Sequence, residues 1–143
     1  MFLTMGTADL GRIFYYSIAV TNAAREGARQ GTYYDPITNT NAYDSYTAIL
    51  ATAQQEVPSD VTLTMAPSHC LTGSPSSWSA NYPTQGNTGY VYICFDGLES
   101  QSSAAQNVKV TILYNFQPLT PFTELVGASS VHVLASTFMQ VQH

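Results

Sequence analysis

Residues 1 to 31 contain no proline and read as one continuous helix, Met1 to Gly31. Leu3, Leu10, Ile13, Phe14, Ile18 and Val20 spread apolar character too widely around it for a simple surface helix. At 1.5 Å per residue it would run roughly 45 Å, which overhangs a small domain. Part of such a helix needs a partner beyond its own domain, either lipid or another subunit. Gly31 and the following Thr32-Tyr33-Tyr34-Asp35-Pro36 close it, because Pro36 pushes Asp35 out of helical geometry.

A membrane span needs about 20 mostly apolar residues. Asp9 and Arg12 interrupt the stretch, each costing about 2.5–3.5 kcal/mol at a bilayer centre. The segment as written is therefore the lower end of a hydrophobic helix. Asp9 and Arg12 stand three apart, so they meet on one face. Two readings stay open for them: an intrahelical pair, or a charge reaching a neighbouring subunit and fixing register. Ala19, Ala23, Gly27 and Gly31 recur every four residues and leave a strip with little side-chain bulk. That strip admits another backbone, either the helix of a second subunit or the chain's own sheet.

Charge narrows the function classes. Asp, Glu, Lys and Arg make up only 9% of the 143 residues, with four basic residues and a net charge of −5. A typical soluble domain carries about 25%. Nucleic acid needs a row of Lys or Arg to displace counterions, and no such row exists. Arg12, Arg25 and Arg29 all fall in the helix, leaving Lys109 as the remaining basic residue. The rest of the polar surface must come from Thr, Ser, Asn, Gln and ten tyrosines, which offers little charge repulsion against neighbouring copies. Cys70 and Cys94 are an even count compatible with one disulfide outside the cytosol.

Beyond the helix, Asn41 to Val57 predicts a second helix through Tyr46, Ile49, Leu50, Ala53 and Val57, capped by Asn41 or Asp44 and stopped by Pro58. Val61, Leu63 and Met65 alternate as a strand, and Tyr90 to Phe95 is a second. Val108, Val110, Ile112, Tyr114 and Phe116 share one face of a third, and Ser130 to Val141 is the last. Residues 66 to 89 form a long Ser-, Pro- and Gly-rich loop, and Thr120, Pro121, Glu124 and Gly127 outline a short helix. The expectation is an α+β chain: an assembly helix over 1–31, then a head over 32–143 with a second helix on a four-stranded antiparallel sheet. A Cys70–Cys94 bridge would staple the long loop to the second strand.

No constellation for catalysis emerges. His69, His132 and His143 are widely spaced, and no GxSxG elbow, phosphate-binding loop or paired carboxylates are present. Asp96 and Glu99 read as a solvated turn. No enzyme activity, metal or cofactor is expected. Tyr33, Tyr34, Tyr43 and Tyr82 are candidates for recognising a sugar or partner surface, or are amphipathic rim residues.

Gly6-Thr7-Ala8-Asp9-Leu10-Gly11-Arg12 and Thr21-Asn22-Ala23-Ala24-Arg25-Glu26-Gly27-Ala28-Arg29 together resemble the signature of TadE-like proteins, pseudopilins or minor pilins of Tad (Flp-type) pilus systems. The segment from Val108 to Pro121 resembles the family's strand and proline loop. The resemblance implies a pilin-like fold and an extracytoplasmic, cell-surface location. It also implies an inner-membrane precursor with a leader and further apolar residues ahead of Gly6. Its implied partners are other pilin subunits, copies of itself and the Tad assembly machinery, in support of surface adhesion. The candidate assembly interface on this helix comprises Gly6, Asp9, Arg12, Ala23, Arg25, Glu26, Gly27 and Arg29 from that signature, with Ala19 and Gly31 added by the four-residue strip. A secreted module that binds a glycan or partner through loop 66–89 is the alternative.

Overall fold

The computed structural model describes residues 2–32, 34–35, 40–41, 46–68, 70–71, 73–95, 107–117 and 131–140. Helix α1 spans Phe2–Thr32, one residue beyond the sequence expectation. A two-residue pair, β1 (Tyr34–Asp35) with β2 (Thr40–Asn41), follows it. Asn41 thus sits in a strand rather than opening the second helix, and α2 covers only Tyr46–Gln55. Its end is a turn in which the Glu56 amide donates to the Ala53 carbonyl, just before Pro58.

Four strands make the main sheet, in the order β3 (Thr62–Met65), β4 (Thr88–Phe95), β5 (Asn107–Phe116), β6 (Val131–Gln140). The chain is α+β, but the sheet is mixed. β3 runs parallel to β4, with Thr62 beside Thr88 and Met65 beside Val91, which corrects the antiparallel expectation. The physical reason is the connection. Antiparallel neighbours need only a tight turn, whereas parallel neighbours need a crossover of a dozen or more residues. Residues 66–87 are that crossover. They contain a short 3-10 helix, Pro75–Asn81, whose Trp78 is buried against Ala66, Tyr92 and Leu113.

The result is three layers. On the inner face, Val91, Ile93, Val108, Val110, Ile112 and Tyr114 pack under α1 and α2. On the outer face the crossover lies over Tyr92 and Leu113. β5 is therefore buried on both sides, and its alternation in sequence reported only the inner one. The Cys70–Cys94 disulfide joins the crossover to β4. Asn87 (φ 57°) joins three strands at the crossover's end. Its carbonyl accepts from the Thr62 amide, its amide donates to the Asn115 carbonyl, and its side-chain oxygen accepts from the Tyr114 hydroxyl.

Close approach of α1 to the head depends on its small residues. Ala23, Ala24 and Ala28 have no exposed surface. A Cβ on Gly27 would lie 3.5 Å from Ile49 Cγ2 and 3.6 Å from Ala53 Cβ, and one on Gly31 would lie 3.3 Å from Ile49 Cδ1. The expected short helix over 120–127, the turn at Asp96 and Glu99, and His69 and His143 lie outside the described residues.

Two stability outcomes follow from this packing. Reducing Cys70–Cys94 frees a loop of about 25 residues and should lower unfolding free energy by about 3 kcal/mol, read from urea titrations with and without reductant. Gly27→Ala places a methyl at ordinary contact distance and removes a helix penalty of ~1 kcal/mol, so it should raise the urea midpoint. Ala23→Leu overpacks the same seam and should lower it by about 1–3 kcal/mol.

Candidate functional site

α1 presents two faces with different surroundings, most plainly in its N-terminal half. From Tyr16 to Gly31 its inner face is core. On the opposite face, from Leu3 to Ile18, large apolar side chains stand in solvent: Leu3 is 85% exposed, Leu10 52%, Phe14 62% and Ile18 62%. Leu10, Phe14 and Ile18 are successive i+4 neighbours, and Leu3 lies seven before Leu10, so all four share one stripe. Burying each would release about 1.5–3 kcal/mol, so the stripe is a strong drive towards an apolar partner. Gly11 lies beside it, with nothing among the described residues within 4 Å of a Cβ built there. Its helix penalty therefore has no packing reason inside the described chain.

Arg12 fixes the direction in which this half projects. Its guanidinium carbon lies 5.4 Å from the centres of both the Tyr16 and Phe116 rings, a cation–π contact to each. Arg12 also pairs with Asp9 at 3.8 Å and donates to the Tyr16 hydroxyl at 3.4 Å. Tyr16 in turn donates to the Asp60 carboxylate, in the turn between α2 and β3. Its ring packs 5.5 Å from Phe116 and 6.1 Å from Tyr114. Asp9 is 4% exposed, so the Asp9–Arg12 pair of the sequence is an intrahelical pair tied into the head.

The hydrogen bond to Asp60, followed by burial, raises the pKa of the Tyr16 hydroxyl above its ordinary value. Burial raises Tyr114, Tyr92 and Tyr82 as well.

The other predicted interface residues separate by face. Ala19, Ala23, Gly27 and Gly31 turn inward, against α2 and the sheet, and so serve packing within the chain. Arg25 is exposed, and Arg29 pairs with Glu26 at 3.8 Å in solvent, an ion pair worth little. Gly6 lies in the projecting half with intermediate exposure. Periodicity found the apolar residues, but the clamp was missed because Asp60 and Phe116 are remote from Arg12 in sequence.

Of the four recognition tyrosines, only the side chain of Tyr82 lies among the described residues. Tyr33 lies outside the described residues, as does the side chain of Tyr34, and Tyr43 is outside too. Tyr82 stacks on the His132 ring at 4.0 Å and 7°, bracing the crossover against β6. Two outer-face hollows of about 290 and 320 Å3 share Thr84 and Tyr90, and both are lined by neutral polar and aromatic residues. Among the described residues, no three of His, Cys, Asp and Glu are grouped to hold a metal ion.

A tyrosine with a raised native pKa adds stability below its ordinary value of 10.0 and loses it as pH climbs through the raised value. Unfolding free energy should therefore fall above about pH 10, where the unfolded tyrosines ionise first. Tyr16→Phe should shallow that alkaline decline while lowering neutral-pH stability by about 1–3 kcal/mol, as the Asp60 carboxylate loses its donor. Denaturant titrations across pH 7 to 11 check both.

The family model described as TadE-like protein matches residues 1–29, nearly the whole of α1. No curated protein matches the chain, and no solved structure does.

Proposed function

We propose, from the TadE-like character of residues 1–29, that this chain is a structural, pilin-like subunit of a Tad-type pilus or of its assembly apparatus. The single observation that carries the reading is the exposed stripe Leu3, Leu10, Phe14 and Ile18 along the face of α1 that points away from its own core. A folded head does not need this stripe. A helix that packs into an apolar bundle, or rests in lipid before assembly, does.

Among the described residues, no helix is long and apolar enough to cross a membrane. The stripe therefore acts here as a lateral contact surface, continuous with whatever apolar segment accompanies it in the assembled state. Gly11 lets a neighbouring helix approach where no part of the described head requires a glycine. Arg12, held by Tyr16 and Phe116, sets the angle at which stripe and head are presented together. The head then lies outward with its low-charge, hydroxyl-rich surface, on the extracytoplasmic side, and supports surface adhesion through assembly. The reading is non-enzymatic, with partners among pilin subunits, copies of this chain and the assembly machinery.

The neutral outer-face hollows around Thr84 and Tyr90 favour a second reading, a surface module that binds a glycan or partner. The two readings separate on α1. Phe14→Glu and Leu10→Glu should abolish incorporation into pili or the membrane-bound assembly complex, while circular dichroism and the urea midpoint of the head stay as in the parent. Incorporation at parental levels would remove the stripe from the mechanism. Glycan binding that is lost in Tyr90→Ala but kept in both stripe variants would favour the binding module.

A further inference from the structure

The two edges of the main sheet are treated differently. β3 is short, and α2 closes its edge: the Gln54 side chain donates to the Val61 carbonyl at 2.8 Å and accepts from the Leu63 amide at 2.7 Å. In effect an amide side chain replaces the next strand. β6 at the other edge is ten residues long and pairs with β5 continuously from Val131 to Gln140, without a bulge. It contains no Lys, Asp, Glu or Pro, the usual devices that keep an edge from pairing. Among the described residues no strand pairs with its far side.

The outward-facing residues of β6 add a second observation. Phe138 is 65% exposed and Leu134 40%, on either side of Ser136. Antiparallel pairing of two β6 strands centred on Ser136 sets Leu134 of each copy opposite Phe138 of the other, twice, by symmetry. The same register sets Val133 against Met139 and Ala135 against Thr137 on the inner face. No formal charge meets a like charge within the paired strands. The exposed apolar residues are thus self-complementary in one register, which selects a second copy as the occupant.

We propose that β6 is a dimerisation edge, through which two copies of this chain pair antiparallel about Ser136 into a continuous eight-stranded sheet. α1 packs on the inner face of β6, whereas Leu134, Ser136 and Phe138 lie on its other face, so the proposal does not depend on the function assigned to that helix. It gives a subunit two independent contact surfaces, one on a helix and one on a sheet edge.

Cysteine cross-linking of the full chain tests it. Residues directly opposite in an antiparallel pair stand about 4.5–5.5 Å apart at Cα, within the range a disulfide spans. Ser136→Cys should therefore give a disulfide-linked dimer under mild oxidation. Phe138→Cys alone should not, since two such residues would lie about 13 Å apart along the strands. Phe138→Lys added to Ser136→Cys should lower the dimer yield roughly tenfold. Phe14→Glu added to it should leave the yield unchanged. The proposal is overturned if folded Ser136→Cys stays monomeric, if Phe138→Cys links as readily, or if Phe14→Glu abolishes linking.

Discussion

A 31-residue helix packed on a sheet whose strands are at most ten residues long cannot be buried along its whole length, and this mismatch governs the rest of the architecture. The helix rises about 46 Å, while a ten-residue strand extends about 33 Å. The molecule resolves the mismatch by dividing α1. Alanines and glycines from Ala19 onward bring the helix close to α2 and β5, and Leu3, Leu10, Phe14 and Ile18 are held on the face turned away from them. Tyr16 is the transition, its ring in the core and its hydroxyl fastened to Asp60.

The boundary is also where the few charges near the core are used. Arg12 would be costly beside an apolar stripe if it had no partners. Asp9, two aromatic faces and the Tyr16 hydroxyl surround it instead. Low charge in the chain as a whole then has a structural meaning. One basic residue is spent on orienting the helix, Arg25 and Arg29 stay in solvent, and the head carries Lys109 and seven acidic residues among many hydroxyls, amides and aromatic rings.

Much of this was legible in the sequence because helix and strand periods differ. The span of α1, the inward set from Val108 to Phe116 and the alternation of Val61, Leu63 and Met65 all follow from local pattern. The parallel pairing of β3 with β4 does not, because pairing direction depends on how the chain returns, and the length of residues 66–87 was the available sign. Trp78 and Leu113 lie in a second core beneath that crossover, which a Ser- and Pro-rich composition concealed. The small strip from Ala19 to Gly31 shows the limit at the site itself. Four-residue spacing states that a backbone can approach, and only the fold states whose backbone does. The Arg12 clamp draws on three separated stretches and leaves no trace in any one of them.

The account stands on the exposed apolar stripe of α1 being covered when the protein is in its working state. Hydroxyl-radical footprinting of the isolated chain and of the same chain within the surface assembly measures this residue by residue. The result expected is strong protection of Leu3, Leu10, Phe14 and Ile18 on assembly, with Trp78 and Tyr114 unchanged because they are buried in both states. Equal labelling of the four stripe residues in both states would contradict it.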